Sequence, residues 1–116
     1  MDVSKTMIDE IFKSDDYHNY GTVALLCADI NEIDFPDNYF DVILTNVVLQ
    51  HIVPEKIEFL AWKMRKWAPH IIMMESRADK GIPLTEPCFD HDYERLFNIV
   101  EKIHYKDNTY IYVHKT

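Results

Sequence analysis

Short apolar runs alternate with amphipathic segments along this chain. The runs at 22–28, 42–44 and 70–75 have the length of β-strands, and their nearly unbroken apolar character is typical of strands buried on both faces. Segment 4–13, with Ser4 as a possible N-cap, and the segment that starts at Pro54 place apolar residues at helical spacing. This alternation predicts an α/β domain in which helices cross between parallel strands.

The segment after Pro54 gives the clearest helix prediction. Proline is tolerated in a first helical turn, and Pro69 predicts the end of the helix. The apolar positions that share one face are Ile57, Leu60, Ala61, Met64 and Trp67 or Ala68, whereas Glu55, Glu58, Lys63 and Lys66 are expected to cover much of the other. The pattern predicts a crossover helix packed on a sheet, with those four charged side chains in solvent.

The C-terminal third of the sequence shows a different pattern. Positions 76–87 show no period and read as a long loop, after which 90–97 predicts a short helix with Asp90 as its N-cap. Two β-rich runs, 98–105 and 109–114, flank the polar residues 106–108. That spacing predicts an antiparallel hairpin at the sheet edge.

Composition narrows the function classes. The chain has 116 residues and a formal charge of −8, which argues against a nucleic-acid surface because such binders concentrate Lys and Arg. Cys27 and Cys88 lack the spacing of a zinc site or of a secreted disulfide framework. Four histidines also show no metal-ligand spacing: His18, His70, His104 and His114. No apolar run approaches the ~20 residues of a membrane span. We therefore expect one domain, 1–116, in the cytoplasm, without metal or membrane partners.

Four sequence blocks resemble one family. The central block, Phe35-Pro-Asp-Asn-Tyr-Phe-Asp-Val-Ile-Leu-Thr-Asn-Val-Val-Leu-Gln-His51-Ile, resembles the fourth strand and following turn of class I S-adenosylmethionine-dependent methyltransferases. Val23-Ala-Leu-Leu-Cys-Ala-Asp29-Ile30 is similar to the third strand, and His70-Ile-Ile-Met-Met-Glu75 to the fifth. Met1-Asp2-Val-Ser-Lys-Thr-Met7 is similar to the family's D-x-S-x-x-M. The resemblance spans essentially the whole chain.

The resemblance implies a three-layer Rossmann-like methyltransferase core with a mostly parallel sheet and a C-terminal antiparallel hairpin. It starts after the family's first strand, glycine-rich loop and first helix, so the implied core is truncated. A glycine-rich turn normally lets backbone N–H groups approach the cofactor, and Gly21 and Gly81 do not stand in that arrangement. The family's first strand lies beside the fourth, so a homo-oligomer or a completing chain is expected to cover the edge at 42–44, unless the third strand moves beside it.

Six positions are cofactor-binding candidates by this resemblance. Asp2 would accept hydrogen bonds from the ribose hydroxyls of S-adenosylmethionine, Asp29 would take the adenine amino group, and Ile30 would pack on the ring. Three further residues would lie beside the methionine portion and the methyl group: Asn46, Val47 and Val48. Plainer interpretations remain open: a solvated or helix-capping Asp2, a turn aspartate at 29, and a cap or turn asparagine at 46.

Two residues are catalytic candidates. In the family a histidine at the position of His51 often lies beneath the cofactor, and an imidazole there suits proton removal near neutral pH. Tyr93, with Phe89 and His91, falls where relatives build a substrate wall. Packing is the competing interpretation for both His51 and Tyr93. Glu75 and Ser76 end the fifth strand and are expected to approach the substrate side.

The function implied is transfer of a methyl group from S-adenosylmethionine to an unidentified small-molecule or protein acceptor. The sulfonium already activates the methyl group, so the protein contributes mainly proximity and alignment. The alternative is a catalytically inactive methyltransferase-like module or truncated relic that binds a protein partner. Some other nucleotide-binding α/β protein could also share these strand patterns.

Overall fold

The computed structural model describes residues 28–78, 84 and 88–116. The chain divides into two compact units, Met1–Asp34 and Phe35–Thr116. In the first unit the described residues, 28–34, contain a turn in which the Glu32 N–H donates to the Asp29 carbonyl oxygen at 2.9 Å. The helix predicted at 4–13 and nearly all of the strand predicted at 22–28 lie outside the described residues.

The second unit contains one four-stranded mixed sheet among its described residues. In chain order the elements are β1 (Val42–Asn46), a 3-10 turn (Leu49–His51), α1 (Pro54–Trp67), β2 (His70–Ser76), α2 (Tyr93–Leu96), β3 (Ile99–Lys106) and β4 (Thr109–Lys115). The strand order is β1-β2-β4-β3, with β1 and β2 parallel and the other two pairings antiparallel. The apolar runs at 42–44 and 70–75 thus form adjacent parallel strands, and α1 is the crossover between them.

The predicted C-terminal hairpin is present as β3 and β4. Asp107, in the tight turn between them, has a φ of 52°, a left-handed conformation that aspartate tolerates better than most residues. The pairing is irregular between Ile99 and Glu101 and again between His104 and Lys106. β4 inserts between β2 and β3, so it is the antiparallel neighbour of the last parallel strand.

The helix α1 begins at Pro54 and ends at Trp67, as the sequence predicts, but one charged position was placed wrongly. Lys63, expected in solvent, is only 5% exposed. Its ammonium lies 5.2 Å from the ring centroid of Phe59 and 5.4 Å from that of Trp67. These aromatic residues stand four positions before and after Lys63, where helical side chains are neighbours. Cation–π attraction and packing of the aliphatic stem therefore hold Lys63 against the helix.

The link before β1 is fixed to the end of α1. The Asn38 N–H donates to the Lys66 carbonyl oxygen at 2.8 Å, and the Phe40 N–H donates to that of Trp67 at 3.0 Å. Asn38 has a φ of 55°, which matches the predicted turn at 36–38. The Phe35 ring packs edge-on against Trp67 with centroids 5.2 Å apart. These contacts fix where the chain enters β1.

The two faces of the sheet differ in burial. Ile71, Met73 and Tyr112 have no exposed surface and form the core together with the apolar face of α1. On the opposite face Leu44 is 69% exposed and its cross-strand partner Ile72 is 37% exposed. Within the described residues β1 pairs with β2 alone, so β1 is the edge strand of this part of the sheet.

Candidate functional site

The carboxyl ends of β1 and β2 lie side by side, which is where ligands bind in open α/β sheets. Asn46, the last residue of β1, pairs with Met74 of β2, and it is exposed. Val47 follows with a φ of 57°, and its N–H donates to the Met74 carbonyl oxygen at 2.8 Å. A β-branched residue is an outlier at such a φ because its Cβ crowds the backbone. The chain therefore leaves β1 through a strained bend.

Glu75 fixes the segment that follows this bend. Its side chain is fully buried, and Oε2 accepts hydrogen bonds from the Thr45 hydroxyl at 2.7 Å and the Val48 N–H at 3.3 Å. Oε1 accepts from the Gln50 N–H at 3.1 Å. Burial raises the pKa of the Glu75 carboxyl, and the hydrogen bonds from Thr45 and the turn amides oppose that rise without cancelling it. One carboxyl group thus connects the end of β2 to β1 and to the 3-10 turn.

The sequence-predicted residues near this edge differ in exposure. Val47 is 41% exposed, Val48 is half-buried and His51 is exposed. His51 Nδ1 lies 4.0 Å from Cys88 Sγ. The short stretch of chain from the end of β1 to the 3-10 turn thus contains four of the predicted site residues, and Glu75 of β2 lies beside it. The four residues are Asn46, Val47, Val48 and His51. Their roles in cofactor binding and catalysis stay predictions.

Tyr93, the second catalytic candidate, lies in the core. It has no exposed surface, its ring centroid is 5.0 Å from that of Tyr112, and its hydroxyl has no hydrogen-bond partner in the part of the chain that the structure describes. Burial raises the pKa of Tyr93, with nearby Glu75 adding to the effect, so the hydroxyl keeps its proton at neutral pH. This environment favours packing as its role, and participation in catalysis is an untested prediction.

His91, part of the predicted substrate wall, is also buried. Its Nε2 donates to the Ile52 carbonyl oxygen at 2.9 Å. Burial lowers the pKa of His91, and the bond to Ile52 only partly offsets this. A neutral imidazole in this position attaches the segment before α2 to the segment between the 3-10 turn and α1.

The prediction that Asp90 caps the second helix is wrong. The helix α2 spans only Tyr93–Leu96, and its N-cap is Asp92, whose side chain accepts from the Arg95 N–H at 3.3 Å. Asp90 Oδ1 instead accepts from Arg77 Nε at 2.6 Å and from the Ala78 N–H at 3.1 Å. Burial alone would raise the pKa of Asp90, but the bonds from Arg77 and Ala78 lower it. Asp90 therefore connects the residues after β2 to the segment before α2.

Two predicted cofactor residues lie in the first unit. Asp29 is exposed, and its Oδ1 accepts from the Asn31 N–H at 2.9 Å and from Asn31 Nδ2 at 3.1 Å. Ile30 beside it is half-buried. This is the geometry of an Asx turn. Asp2 lies outside the described residues.

Residues 28–78, 84 and 88–116 contain no group of three or more His, Cys, Asp or Glu side chains placed to hold a metal ion. Among the helices in these ranges, none has both the length and the apolar character needed to cross a membrane.

Sequence reasoning did not identify Thr45 and Gln50 as members of this cluster. Both are buried polar residues, at 8% and 6% exposure. The available signal was a polar residue inside an otherwise apolar block, since such a residue needs an internal partner when it is buried. The partner, Glu75, lies 30 residues beyond Thr45. Only the parallel pairing of β1 with β2 brings them together.

Comparisons with known proteins agree with this fold. A family model described as "Methyltransferase domain" matches residues 1–70. Phosphoethanolamine N-methyltransferase 3 of Arabidopsis thaliana is 27% identical over 111 residues, which cover 90% of this chain. The chain spans about one fifth, 20%, of the length of that relative.

Two solved structures are similar to the chain. One is a protein from Pyrococcus horikoshii OT3, with a TM-score of 0.76 and 15% identity over 97% of this chain and 68% of that one. The other is a SAM-dependent methyltransferase from Aquifex aeolicus, with a TM-score of 0.68 and 14% identity over 97% of this chain and 64% of that one. At these identities the likeness shows the fold alone, and it confirms the predicted Rossmann-like class. Because the family model matches more than half of the sequence, the chain belongs to the class I methyltransferases, whose methyl donor is S-adenosylmethionine.

Proposed function

We propose that this chain takes part in transferring a methyl group from S-adenosylmethionine to a polar acceptor, either a small molecule or a protein. The observation that carries the proposal is the carboxyl edge of β1 and β2, where Glu75 fixes the turn that follows Asn46. Fixed geometry at this edge suits the reaction, because alignment of donor and acceptor is the protein's main contribution to methyl transfer.

The residues present at this edge fit the methionine end of S-adenosylmethionine. The exposed Asn46 offers a carboxamide that can donate and accept hydrogen bonds, and Val47 adds partly exposed apolar surface. A carboxamide beside partly exposed apolar surface suits the polar amino acid group and the aliphatic part of the methionine portion. When bound, S-adenosylmethionine supplies the activated methyl group. The chain's own residues hold the acceptor in line with it and exclude water.

His51 is the candidate for handling the acceptor's proton. Its imidazole is exposed at the same edge, on the last residue of the 3-10 turn that Glu75 fixes. A base is needed only where the acceptor carries a proton on the attacking atom, as a protonated amine does. Asp2 and Asp29 are proposed to bind the ribose and the adenine amino group, and Ile30 is proposed to pack on the adenine ring.

The first acceptor to test comes from the relative that is named a phosphoethanolamine N-methyltransferase. A panel of phosphoethanolamine, simple amines, hydroxyl compounds and peptides would separate amine acceptors from the others. The assay follows radioactive methyl transfer from S-adenosylmethionine. An amine acceptor would fit the proposed use of His51 as a base.

Cosubstrate binding is the decisive experiment. Isothermal calorimetry with S-adenosylmethionine and with S-adenosylhomocysteine should give micromolar dissociation constants. We expect Asn46→Leu to weaken binding by about tenfold, the equivalent of one hydrogen bond to a charged group. Asp41→Asn is the matched control, because Asp41 is an exposed residue at the amino end of the same strand.

Absence of binding by a chain that is folded and tightly self-associated would contradict the proposal. It would support the inactive protein-binding module instead. If Asn46→Leu and Asp41→Asn bind equally well, the cosubstrate site does not lie at the carboxyl edge of β1.

A further inference from the structure

Gln50 joins three separate segments of the second unit. Although polar, it is only 6% exposed, and each of its four hydrogen-bonding groups has a partner. Its N–H donates to Glu75 Oε1 at 3.1 Å, and its carbonyl oxygen accepts from the Phe89 N–H at 2.7 Å. In the side chain, Oε1 accepts from the Ser76 N–H at 3.0 Å and Nε2 donates to Cys88 Sγ at 3.3 Å.

The carboxamide is an unusual choice if packing were its only role. Burying glutamine costs side-chain entropy and desolvation, and an apolar side chain of similar length fills the same volume without either cost. An apolar side chain cannot form directional hydrogen bonds. The carboxamide fixes both the backbone at Ser76, which ends β2, and the sulfur of Cys88.

Cys88 lies beside the imidazole of His51. Cys88 Sγ lies between the Gln50 amide nitrogen at 3.3 Å and His51 Nδ1 at 4.0 Å. Because His51 is exposed, this sulfur is the one side-chain contact that restrains its imidazole among the hydrogen bonds of the described residues. These two contacts connect Gln50 to His51 through Cys88.

We propose that Gln50 is a positioning residue whose carboxamide, through Cys88, sets the orientation of the His51 imidazole at the carboxyl edge of β1. This inference deepens the proposed function and rests on it, because the orientation of His51 matters to the reaction only if a methyl acceptor binds there. The geometric part concerns the chain alone and has its own readouts.

The experiment uses the full chain in a Cys27→Ser background, which leaves Cys88 as the single thiol, since the sequence has two cysteines. Gln50→Met removes both side-chain hydrogen bonds at similar length. Because an N–H donor stabilises the reactive thiolate, loss of the bond to Sγ should lower the rate at which Cys88 reacts with an aromatic disulfide at neutral pH by up to about fivefold, the equivalent of about 1 kcal/mol. The ring C–H signals of His51, assigned with His51→Gln, should shift or broaden.

A second pair of variants leaves Gln50 in place, in case Gln50→Met folds poorly. Cys88→Ala removes the intermediate atom and should move the His51 signals as Gln50→Met does. Cys88→Ser keeps a small polar acceptor at the same position and should preserve them. Unchanged thiol reactivity and unchanged His51 signals in Gln50→Met, or identical effects of Ala and Ser at position 88, would overturn the inference.

Activity measurements test the catalytic part. With an acceptor in hand, Gln50→Met and Cys88→Ala should lower kcat by about fivefold while affinity for S-adenosylhomocysteine stays within about twofold, and Cys88→Ser should restore kcat. An equal loss of kcat and affinity would instead indicate a general structural role and overturn the assignment. If the wild-type chain neither binds the donor nor transfers methyl groups, the proposed function fails, whereas thiol reactivity and His51 signals still decide the geometry.

Discussion

Val47 shows how a single residue can conflict with its local preference at the candidate site. Its φ of 57° costs on the order of 1–3 kcal/mol for a non-glycine residue, and its β-branch makes the crowding worse. Hydrogen bonds at both Val47 and Val48 maintain the conformation. Strain of this kind concentrates at functional sites, because the surroundings must be built to hold it.

Replacement of Val47 by glycine should relieve this strain. Glycine adopts positive φ freely, so Val47→Gly should leave the free energy of unfolding unchanged or raise it by up to about 1 kcal/mol, although it removes a side chain. Val42→Gly is the matched control, at an exposed, regularly paired valine of β1 whose φ is not positive. It should lower stability by about 0.5–1 kcal/mol. Urea denaturation of both variants measures the difference, and equal losses would show that Val47 is not strained.

At the residue scale the sequence predicts chemistry that is local along the chain. Asn46 is identified because it follows an apolar strand, and the turn at 36–38 because of its residue types. Long-range partners are not predictable in the same way. The hydrogen bond from Thr45 to Glu75 spans 30 residues. Asp90 binds Arg77, and Asp92 is therefore the residue that caps α2.

At the scale of elements, Glu75 is the connection between β1, β2 and the 3-10 turn. Parallel strands lack a short connecting turn, so their relative position at the carboxyl edge depends on side-chain contacts as well as on the ladder. A buried carboxylate is unfavourable in itself, which is why burial raises its pKa. Hydrogen bonds from the Thr45 hydroxyl and from the N–H groups of Val48 and Gln50 offset part of that cost.

Glu75→Gln separates these opposing effects. The amide removes the buried charge, but one of its two positions is an NH₂ group that faces a backbone N–H, so at least one turn amide loses its acceptor. Because an unsatisfied buried N–H is costly, we expect the free energy of unfolding to fall by about 1–3 kcal/mol at neutral pH. Urea denaturation tests this, with Glu101→Gln on the exposed face of β3 as the control. A fall no larger than that of the control would mean that the turn does not depend on the carboxylate.

Elements with strong periodic patterns were predictable from sequence. The apolar runs, Pro54 and Pro69 place β1, α1 and β2 to within a few residues, and the polar turn at 106–108 predicts the hairpin. The length of the short helix α2 was not predictable. Four residues are too few to show a helical period, so tertiary contacts determine where this helix begins and ends. Lys63 was misplaced for a related reason: its burial depends on two aromatic neighbours, and charge alone suggested solvent.

At the scale of the unit Phe35–Thr116, the two faces of the sheet differ in burial among the described residues. Core residues on β2 and β4 are fully buried, whereas Leu44 and Ile72 are exposed on the other face. Adjacent exposed apolar strand residues favour association, and the expectation that a homo-oligomer or a completing chain covers the edge at 42–44 stays a prediction. The sequence predicted a vulnerable strand at 42–44 through resemblance to the family, not through periodicity. The insertion of β4 between β2 and β3 was not predicted, because the sequence indicated only an antiparallel hairpin at the sheet edge.

Two buried histidines make the stability of this unit depend on pH. His114 Nδ1 accepts a hydrogen bond from the Asn98 N–H at 2.8 Å, so it carries no proton, and His91 is buried beside Ile52. Burial lowers the pKa of both imidazoles below the ordinary 6.5, with Arg65 and His70 adding to the effect at His114. The unfolded chain therefore takes up protons first as the pH falls. Their contribution to stability is fully present above pH 6.5 and is lost as the pH falls from there towards the lowered pKa values.

The double variant His91→Gln, His114→Gln should show a smaller loss of stability on acidification than the wild type, measured by urea denaturation on both sides of pH 6.5. Two other effects act in the same pH range. The magnitude of the net charge of −8 falls on acidification, which weakens self-repulsion. Because the pKa of Glu75 is raised in the folded state, this group also stabilises the folded state more as the pH falls. Both are shared by wild type and variant, so the difference between the two curves isolates the histidines. His104→Gln controls for the substitution at an exposed position. Parallel curves for wild type and double variant would show that neither imidazole needs to stay neutral for the unit to fold.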